Sequence, residues 1–200
     1  MLRATHLTRG VTLIELMIGL TILALLLAMG LPAYGTWISN SRVRSAAEGL
    51  QSGLVLARSE AMRRNQNVEF VITNDPVDLG SVGTVAPAAS GIHWLVRFID
   101  PATATYSLVQ TKSGYEGSGR VEGNAIPVQV AASAPQIVFR GMGGTGLGAT
   151  ATFDFSNPGG GACNTVATPG PIRCLRVQVS VAGLVRLCDP SAAAADTRAC

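Results

Sequence analysis

The feature that most constrains the fold of this chain is an uncharged apolar segment near its N-terminus. Twenty-six consecutive residues, 16–41, carry no formal charge, and residues 16–31 are almost wholly apolar. With the residues before it, this run exceeds the roughly 18 residues that a helix needs to span a bilayer. The short leader before it contains Arg3 and Arg9 and no acidic residue. That charge pattern favours an N-terminus that stays in the cytoplasm.

Two ordinary explanations of this segment leave one residue unexplained. A secretory signal peptide has a shorter apolar core and a small-x-small cleavage site, which the sequence after Pro32 matches poorly. A plain membrane anchor fits the hydropathy. Neither accounts for Glu15, because a lone carboxylate at membrane depth costs roughly 2.5 kcal/mol or more and requires a partner.

Residues 9–16, Arg-Gly-Val-Thr-Leu-Ile-Glu-Leu, resemble the class III signal of type IV prepilins and type II secretion pseudopilins. The resemblance implies that a dedicated peptidase cleaves after Gly10. It also implies that the new N-terminal residue, Val11, is N-methylated, although Phe is commonest at that position in the family. Glu15, fifth in the mature chain, is then the residue of filament assembly, and Pro32 falls where many pilins have a helix-kinking proline.

Cleavage would also supply a partner for Glu15. The new N-terminus at Val11 carries an ammonium group, and the carboxylate of one subunit can pair with the ammonium of its neighbour in a filament. A buried ion pair is a better device for setting register than for adding stability. The pairing therefore predicts a role for Glu15 in placing subunits at the correct depth.

The helical pattern continues beyond the apolar run. Small and apolar residues recur every three or four positions, as on one face of a helix: Val43, Ala47, Leu50, Leu54, Ala57 and Ala61. Arg63 and Arg64 suit the last turn, and Asn65 or Asn67 could end the helix. The pattern predicts one helix over residues 11–65. A helical bundle is disfavoured, because no second long helical pattern follows.

The sequence at the end of this helix indicates which branch of the pilin family the chain resembles. Residues 57–68, Ala-Arg-Ser-Glu-Ala-Met-Arg-Arg-Asn-Gln-Asn-Val, resemble a signature of the FimT/GspH branch, which contains minor type IV pilins and the H pseudopilin of type II secretion. We interpret the signature structurally: small residues let the helix lie close to a sheet, and the chain turns into its first strand at Val68.

From Val68 the period changes to two, which is typical of strands. The candidate strands cover residues 68–73, 94–98, 106–111, 136–140, 150–155, 172–179 and 184–188. A turn at residues 180–183 would join the last two. The resulting fold class is α+β, type IV pilin-like: a long N-terminal helix packed on a C-terminal antiparallel sheet. The predicted organisation is a leader (1–10), a membrane-spanning and filament-core helix (11–35), an amphipathic helical half (36–67) and a β-rich head (68–200).

No catalytic, cofactor or metal site is predicted. The glycines of residues 141–146 match G-x-G-x-x-G, but the segment after them is strand-like, so a mobile loop is favoured over nucleotide binding. His93, the one histidine left after cleavage, alternates in a predicted strand and is more typical of a structural residue than of a catalytic base. Asp154 and Asp189 have no carboxylate partner at motif spacing. The chain is expected to be a substrate of a peptidase and a methylase, not an enzyme.

Four cysteines lie in the last 38 residues and allow three pairings. Zinc is disfavoured, because no Cys-x-x-Cys unit and no nearby histidine accompany them. The preferred pairing is Cys163–Cys174 with Cys188–Cys200, since each would close a loop with little core of its own. Disulfides persist outside the cytoplasm, where this topology places the head.

Together these features predict a minor pilin or pseudopilin: a structural subunit of a type IV pilus or type II secretion pseudopilus, acting in filament assembly. Its expected partners are other pilins, the processing enzymes and the inner membrane, with the head in the periplasm. The alternative is a FimT-like pilin that binds DNA for natural transformation. Its candidate residues are Arg173, Arg176 and Arg186. The Gly-Arg-x-Arg motif of such pilins is incomplete here, reading Gly-Leu-Val-Arg at residues 183–186.

Overall fold

The computed structural model describes residues 12–114 and 128–200; within the first helix, the side chains of residues 29–33 are outside the description. The chain divides into two compact units, residues 1–37 and 38–200. The predicted cleavage site, Gly10 and Val11, lies outside the described residues.

One long helix, α1, spans Leu13–Arg64. Thr12 precedes it and caps it: its hydroxyl oxygen accepts a hydrogen bond from the Glu15 N–H at 3.3 Å, as an N-cap residue does. At the other end Asn65 adopts the left-handed conformation, with φ +50°. The Gln66 N–H then donates to the Ala61 carbonyl at 3.2 Å, the bond of a Schellman cap. The predicted end at Asn65 is therefore confirmed.

The described part of the first unit is the N-terminal part of α1, and its described apolar side chains are exposed. Among the described residues, no helix meets the length and hydropathy criteria for a membrane span. Tyr34 and Trp37 stack with their ring centroids 6.0 Å apart. The kink predicted at Pro32 falls among the side chains outside the description.

The helical stripe that the sequence predicts is the core face of α1 in the second unit. All six residues are at most 3% exposed: Val43, Ala47, Leu50, Leu54, Ala57 and Ala61. Gly53 adds a close approach on this face, because a Cβ there would lie 2.8 Å from the Trp94 ring. The small residues allow α1 to pack closely against the strands, as the sequence pattern indicates.

In the described part of the chain eight strands follow: β1 Val68–Thr73, β2 His93–Ile99, β3 Tyr106–Lys112, β4 Gln129–Ala132, β5 Gln136–Phe139, β6 Ala151–Ser156, β7 Leu175–Val179 and β8 Val185–Cys188. They form two four-stranded antiparallel sheets, in the orders β3-β2-β1-β5 and β4-β6-β7-β8. The predicted α+β fold, a long helix packed on an antiparallel β head, is confirmed. The head has two sheets and not one, because β4 and β5 are neighbours in the chain but pair in different sheets. β4 was not predicted, because it is short and its residues are mostly small or polar.

Helix and both sheets share one hydrophobic core. Phe70 of β1 contacts Trp94 of β2 and, edge to face, Phe153 of β6, so the two sheets meet through aromatic side chains. Val177 and Val179 of β7 are fully buried in the same cluster. The head is therefore one packed unit whose helical wall comes from α1.

The opposite face of the first sheet is buried too. Val71 and Leu95 point to this face and are covered by Val82 and Val85 of the loop that joins β1 and β2. Arg97 fixes the loop there: its guanidinium donates to the Val82 carbonyl at 2.6 Å. β1 and β2 are consequently buried on both sides.

Candidate assembly and binding surfaces

The N-terminal part of α1 presents an apolar surface on all sides. Its large apolar side chains are each more than half exposed: Leu13, Ile14, Leu16, Met17, Ile18, Leu20, Ile22, Leu23, Leu25, Leu26 and Leu27. A contiguous exposed apolar surface of this kind marks a contact with lipid or protein. Glu15, also exposed, lies in the first turn, where a negative charge suits the helix dipole.

The charged residues at the end of α1 form a compact network. Glu60 accepts hydrogen bonds from Arg63 at 2.6 and 3.0 Å and from Arg64 at 2.8 Å. These bonds, with that from Arg63 largest, lower the pKa of Glu60 to about 2. Arg64 also lies over the Phe98 ring, 4.0 Å from its centroid. The network ties the last helical turn to β2.

Arg58 has a role that the sequence analysis did not identify. Its Nε donates to the Gly143 carbonyl at 3.1 Å, so α1 holds the glycine-rich loop of residues 141–146. Gly143 has φ +82°, and a Cβ there would lie 2.9 Å from the Met62 sulfur. The predicted loop is present, and this hydrogen bond ties it to α1.

The same loop also contacts the turn between β7 and β8. The Thr145 N–H and hydroxyl donate to the Val181 carbonyl at 2.9 and 3.0 Å. The predicted turn is present: the Gly183 N–H donates to Ser180 O at 2.8 Å, and Gly183 has φ +79°. No helix follows the G-x-G-x-x-G segment, which continues into strand β6. Two of its glycines serve close packing: a Cβ at Gly141 would lie 2.6 Å from Asn65 Oδ1, and one at Gly143 would lie 2.9 Å from the Met62 sulfur.

Both disulfides of the structure are those that the sequence analysis preferred, Cys163–Cys174 and Cys188–Cys200. The second one holds the C-terminal tail beside β8. Asp189 forms a parallel bridge with Ala199, and the Arg186 guanidinium donates to the carbonyls of Thr197 and Ala199 at 3.0 and 2.6 Å. The tail is thus bonded to the residues around the end of β8.

The three arginines proposed for DNA binding are each engaged in the folded head. Arg176 pairs with Asp154 across β6 and β7 at 2.6 Å, and Arg173 pairs with Asp189 at 2.6 Å. The β7–β8 register places Arg176 opposite Cys188 and Arg186 opposite Gln178. Arg176 and Arg186 therefore share one sheet face as diagonal neighbours. The structure brings these two together and places Arg173 outside the strands.

Charge around the C-terminal tail is balanced locally. The Arg198 guanidinium donates to both oxygens of Asp196, through Nε at 3.1 and 3.2 Å and through a terminal nitrogen at 2.6 Å. These charge-assisted hydrogen bonds lower the pKa of that carboxyl to about 2. Burial raises the pKa of Asp189, but hydrogen bonds from Ser191 and Arg173 outweigh burial and lower it overall. Asp154 adds a third carboxylate to this region as the partner of Arg176.

His93 is a buried residue of β2, 5% exposed. Its Nδ1 accepts a hydrogen bond from the Gly114 N–H at 3.3 Å. Burial lowers its pKa, against a smaller opposing effect of Asp75. Across residues 12–114 and 128–200, no group of three or more His, Cys, Asp or Glu residues could hold a metal ion.

Comparison with known families identifies the chain. A model of the type II transport protein GspH matches residues 46–183, and a model of the prokaryotic N-terminal methylation motif matches residues 6–31. The fold and these matches define a pilin-like subunit. The chain belongs to the GspH family of minor pilins and pseudopilins.

Solved structures share the fold at low sequence identity. The minor pilin FimU of Pseudomonas aeruginosa PAO1 has a TM-score of 0.51 at 16% identity, over 77% of this chain and 93% of its own. A second crystal form of FimU has a TM-score of 0.50 at 15% identity and covers 76% of this chain and 98% of its own. The minor pseudopilin EpsH of Vibrio cholerae has a TM-score of 0.45 at 14% identity and covers 76% of this chain and 99% of its own. Among curated proteins, no sequence matches the chain significantly.

Proposed function

We propose that this protein is a minor subunit of a type IV pilus or type II secretion pseudopilus, with a structural and not an enzymatic role. The observation that carries the proposal is the exposed apolar surface of α1 between Leu13 and Leu27 in a chain whose remainder is a compact head. Such a surface is stable only when lipid or other helices cover it. In the membrane lipid would cover it, and in a filament the helices of other pilins would.

The proposal includes processing and location. The leader is removed between Gly10 and Val11, the new N-terminus is methylated, and the apolar part of α1 anchors the subunit in the inner membrane. The head lies in the periplasm, where the two disulfides of the head persist. Removal of Arg3 and Arg9 leaves 13 basic and 12 acidic residues, since the whole chain has 15 and 12. Intact-mass analysis tests this directly: a chain that begins at Met1 in a strain with the peptidase contradicts it.

Glu15 supplies the test of assembly. We expect Glu15→Ala to remain in the membrane fraction, because the change removes a charge from an apolar run. It should nevertheless be depleted from sheared filaments, because the neighbour's N-terminal ammonium loses its carboxylate. Glu48→Ala is the matched control, since Glu48 is an exposed carboxylate of α1 paired with Arg44. Equal recovery of both variants in filaments would contradict the pairing.

A deletion strain separates the two kinds of filament. Loss of surface pili with normal secretion supports a pilus subunit, and loss of secretion with normal pili supports a pseudopilus subunit. The position of the gene among minor-pilin or secretion genes gives the same distinction.

DNA capture has weaker support. Arg176 and Arg186 share a face, which favours it, but Arg176 is paired with Asp154 and Arg186 is bonded to the C-terminal tail. A gel shift with duplex DNA at low salt tests it, with Arg176→Gln and Arg186→Gln expected to weaken binding if this face is the site. Phosphate contacts are strongly salt-dependent, so retention should fall steeply as salt rises.

A further inference from the structure

A polar cleft of about 330 Å³ lies between the two disulfide-closed loops of the head. Four of its lining residues belong to the loop of residues 163–174, and the other five belong to the loop of residues 188–200. Each wall is therefore a segment whose conformational freedom a disulfide limits. Neither wall belongs to the apolar surface of α1, so the cleft is a feature separate from the filament role proposed above.

The first wall is fixed to α1. The Asn40 side chain accepts a hydrogen bond from the Arg173 N–H at 2.7 Å and donates one to the Pro171 carbonyl at 3.1 Å. Between them Ile172 is fully buried in the core. Arg173 thus starts from a rigid backbone position at the mouth of the cleft.

A buried carboxylate orients the Arg173 guanidinium. Asp189 is 4% exposed; one of its oxygens accepts from the Ser191 N–H and hydroxyl, and the other accepts from Arg173 Nε at 2.6 Å. Only Nε of Arg173 is used in this way. Among the described residues, its two terminal nitrogens have no acceptor, and its side chain is 49% exposed.

The opposite wall carries a similar arrangement. Arg198 uses Nε and one terminal nitrogen to bind Asp196, and its side chain is 63% exposed. Two arginines and two aspartates line the cleft, so its formal charge is zero. A lining without net charge gives a polyanion such as DNA no overall electrostatic attraction. A single carboxylate, in contrast, can bind one oriented guanidinium through two parallel hydrogen bonds, the planar geometry that arginine favours.

We propose that this cleft binds a carboxylate of another polypeptide, presented by an aspartate or glutamate side chain or by a chain terminus. Arg173 is the anchor, with its terminal nitrogens donating to the carboxylate, and Arg198 supplies a second donor. The partly exposed carboxylate of Asp196 accepts a hydrogen bond from an N–H or O–H group of the bound polypeptide. The volume is at the lower end of that of ligand pockets and suits one or two side chains of a peptide.

Titration of the full chain in detergent micelles tests the proposal. The probe is acetyl-Asp-Glu amide, and its neutral counterpart is acetyl-Asn-Gln amide; backbone amide NMR shifts of Asn164 and Ser191 report on the two walls. We expect the acidic peptide alone to shift both signals, with a dissociation constant of about 1 mM. Arg173→Gln should weaken binding about tenfold, because charge-assisted hydrogen bonds are the strong ones.

Control variants separate binding from folding. Arg44→Gln removes an exposed arginine of α1 that pairs with Glu48, and it should leave the titration unchanged. Arg198→Gln, which alters the other wall, should weaken binding by less than Arg173→Gln, and the thermal midpoint of each variant shows whether the head is intact.

Three results would overturn the proposal: no shift of either wall at about 20 mM acidic peptide, equal shifts with the neutral peptide, or an unchanged affinity in folded Arg173→Gln. Tighter binding of duplex DNA than of the peptide, lost in Arg173→Gln, would instead assign the cleft to a nucleic acid.

Discussion

Gly183→Ala tests how the head is held together near the end of α1. Gly183 has φ +79°, and a Cβ there would lie well inside van der Waals contact with the Gly143 carbonyl oxygen and 3.3 Å from Arg58 Nε. A left-handed alanine costs roughly 1–2 kcal/mol. Displacing Gly143 also weakens its hydrogen bond with Arg58, by about 1 kcal/mol or more.

The expected loss for Gly183→Ala is therefore about 3 kcal/mol, which corresponds to a fall of about 6–12 °C in the unfolding midpoint of a unit of this size. Circular dichroism of the full chain in detergent measures the midpoint. Gly148→Ala is the matched control, because no atom lies within 4 Å of a Cβ there. Its midpoint should stay within about 2 °C of wild type or rise slightly.

A second variant checks the stated cause. In an Arg58→Gln background, Gly183→Ala should cost about 1 kcal/mol less, because the hydrogen bond it disturbs is already absent. Equal midpoints for Gly183→Ala and Gly148→Ala would refute the steric reasoning. If the stability losses of Gly183→Ala and Arg58→Gln simply add in the double variant, the share of the loss assigned to the hydrogen bond is refuted.

Three further outcomes follow from the head. Leu54→Ala should lower the free energy of unfolding by about 2–5 kcal/mol, because Leu54 is fully buried in the core; denaturant titration measures it. Replacing Cys188 and Cys200 together by Ser should cost about 3 kcal/mol in the chain-entropy account, with peptide mapping to verify that the other disulfide remains. Since burial lowers the pKa of His93, the unfolded chain takes up a proton first as the pH falls below 6.5. Stability should therefore fall below that pH, and less steeply in His93→Gln.

The helix was the most predictable element, because its pattern is local. All six residues of the predicted stripe are buried, and Asn65 ends α1 as the sequence indicated. Most strand positions were also predicted, since alternation is visible within five or six residues. The ends of the strands were predicted less accurately. The predicted strand over residues 172–179 begins only at Leu175 as β7, because Arg173 and Cys174 belong to the disulfide-closed loop.

Sheet membership and charge pairing depend on contacts between distant residues. No local pattern shows that β4 pairs with β6 or that β5 pairs with β1. The same is true of Arg176 and Asp154, which are 22 residues apart and meet only because the β6–β7 register places them opposite each other. The sequence could therefore propose arginines for DNA binding but could not show that Arg176 is paired with a carboxylate.

The shared core also determines when the chain can fold. The stripe on α1 is synthesised early, yet the strand residues Phe153, Val177 and Val179 of the same core follow 92 to 136 residues later. Closing so long a loop costs entropy before any contact compensates it. The second half of α1 is thus an exposed hydrophobic segment of the nascent chain until the C-terminal strands have been synthesised. A chaperone that binds apolar helices would bind this segment in that interval. Premature termination before β7 would leave a product with exposed apolar surface that is prone to aggregation and proteolysis.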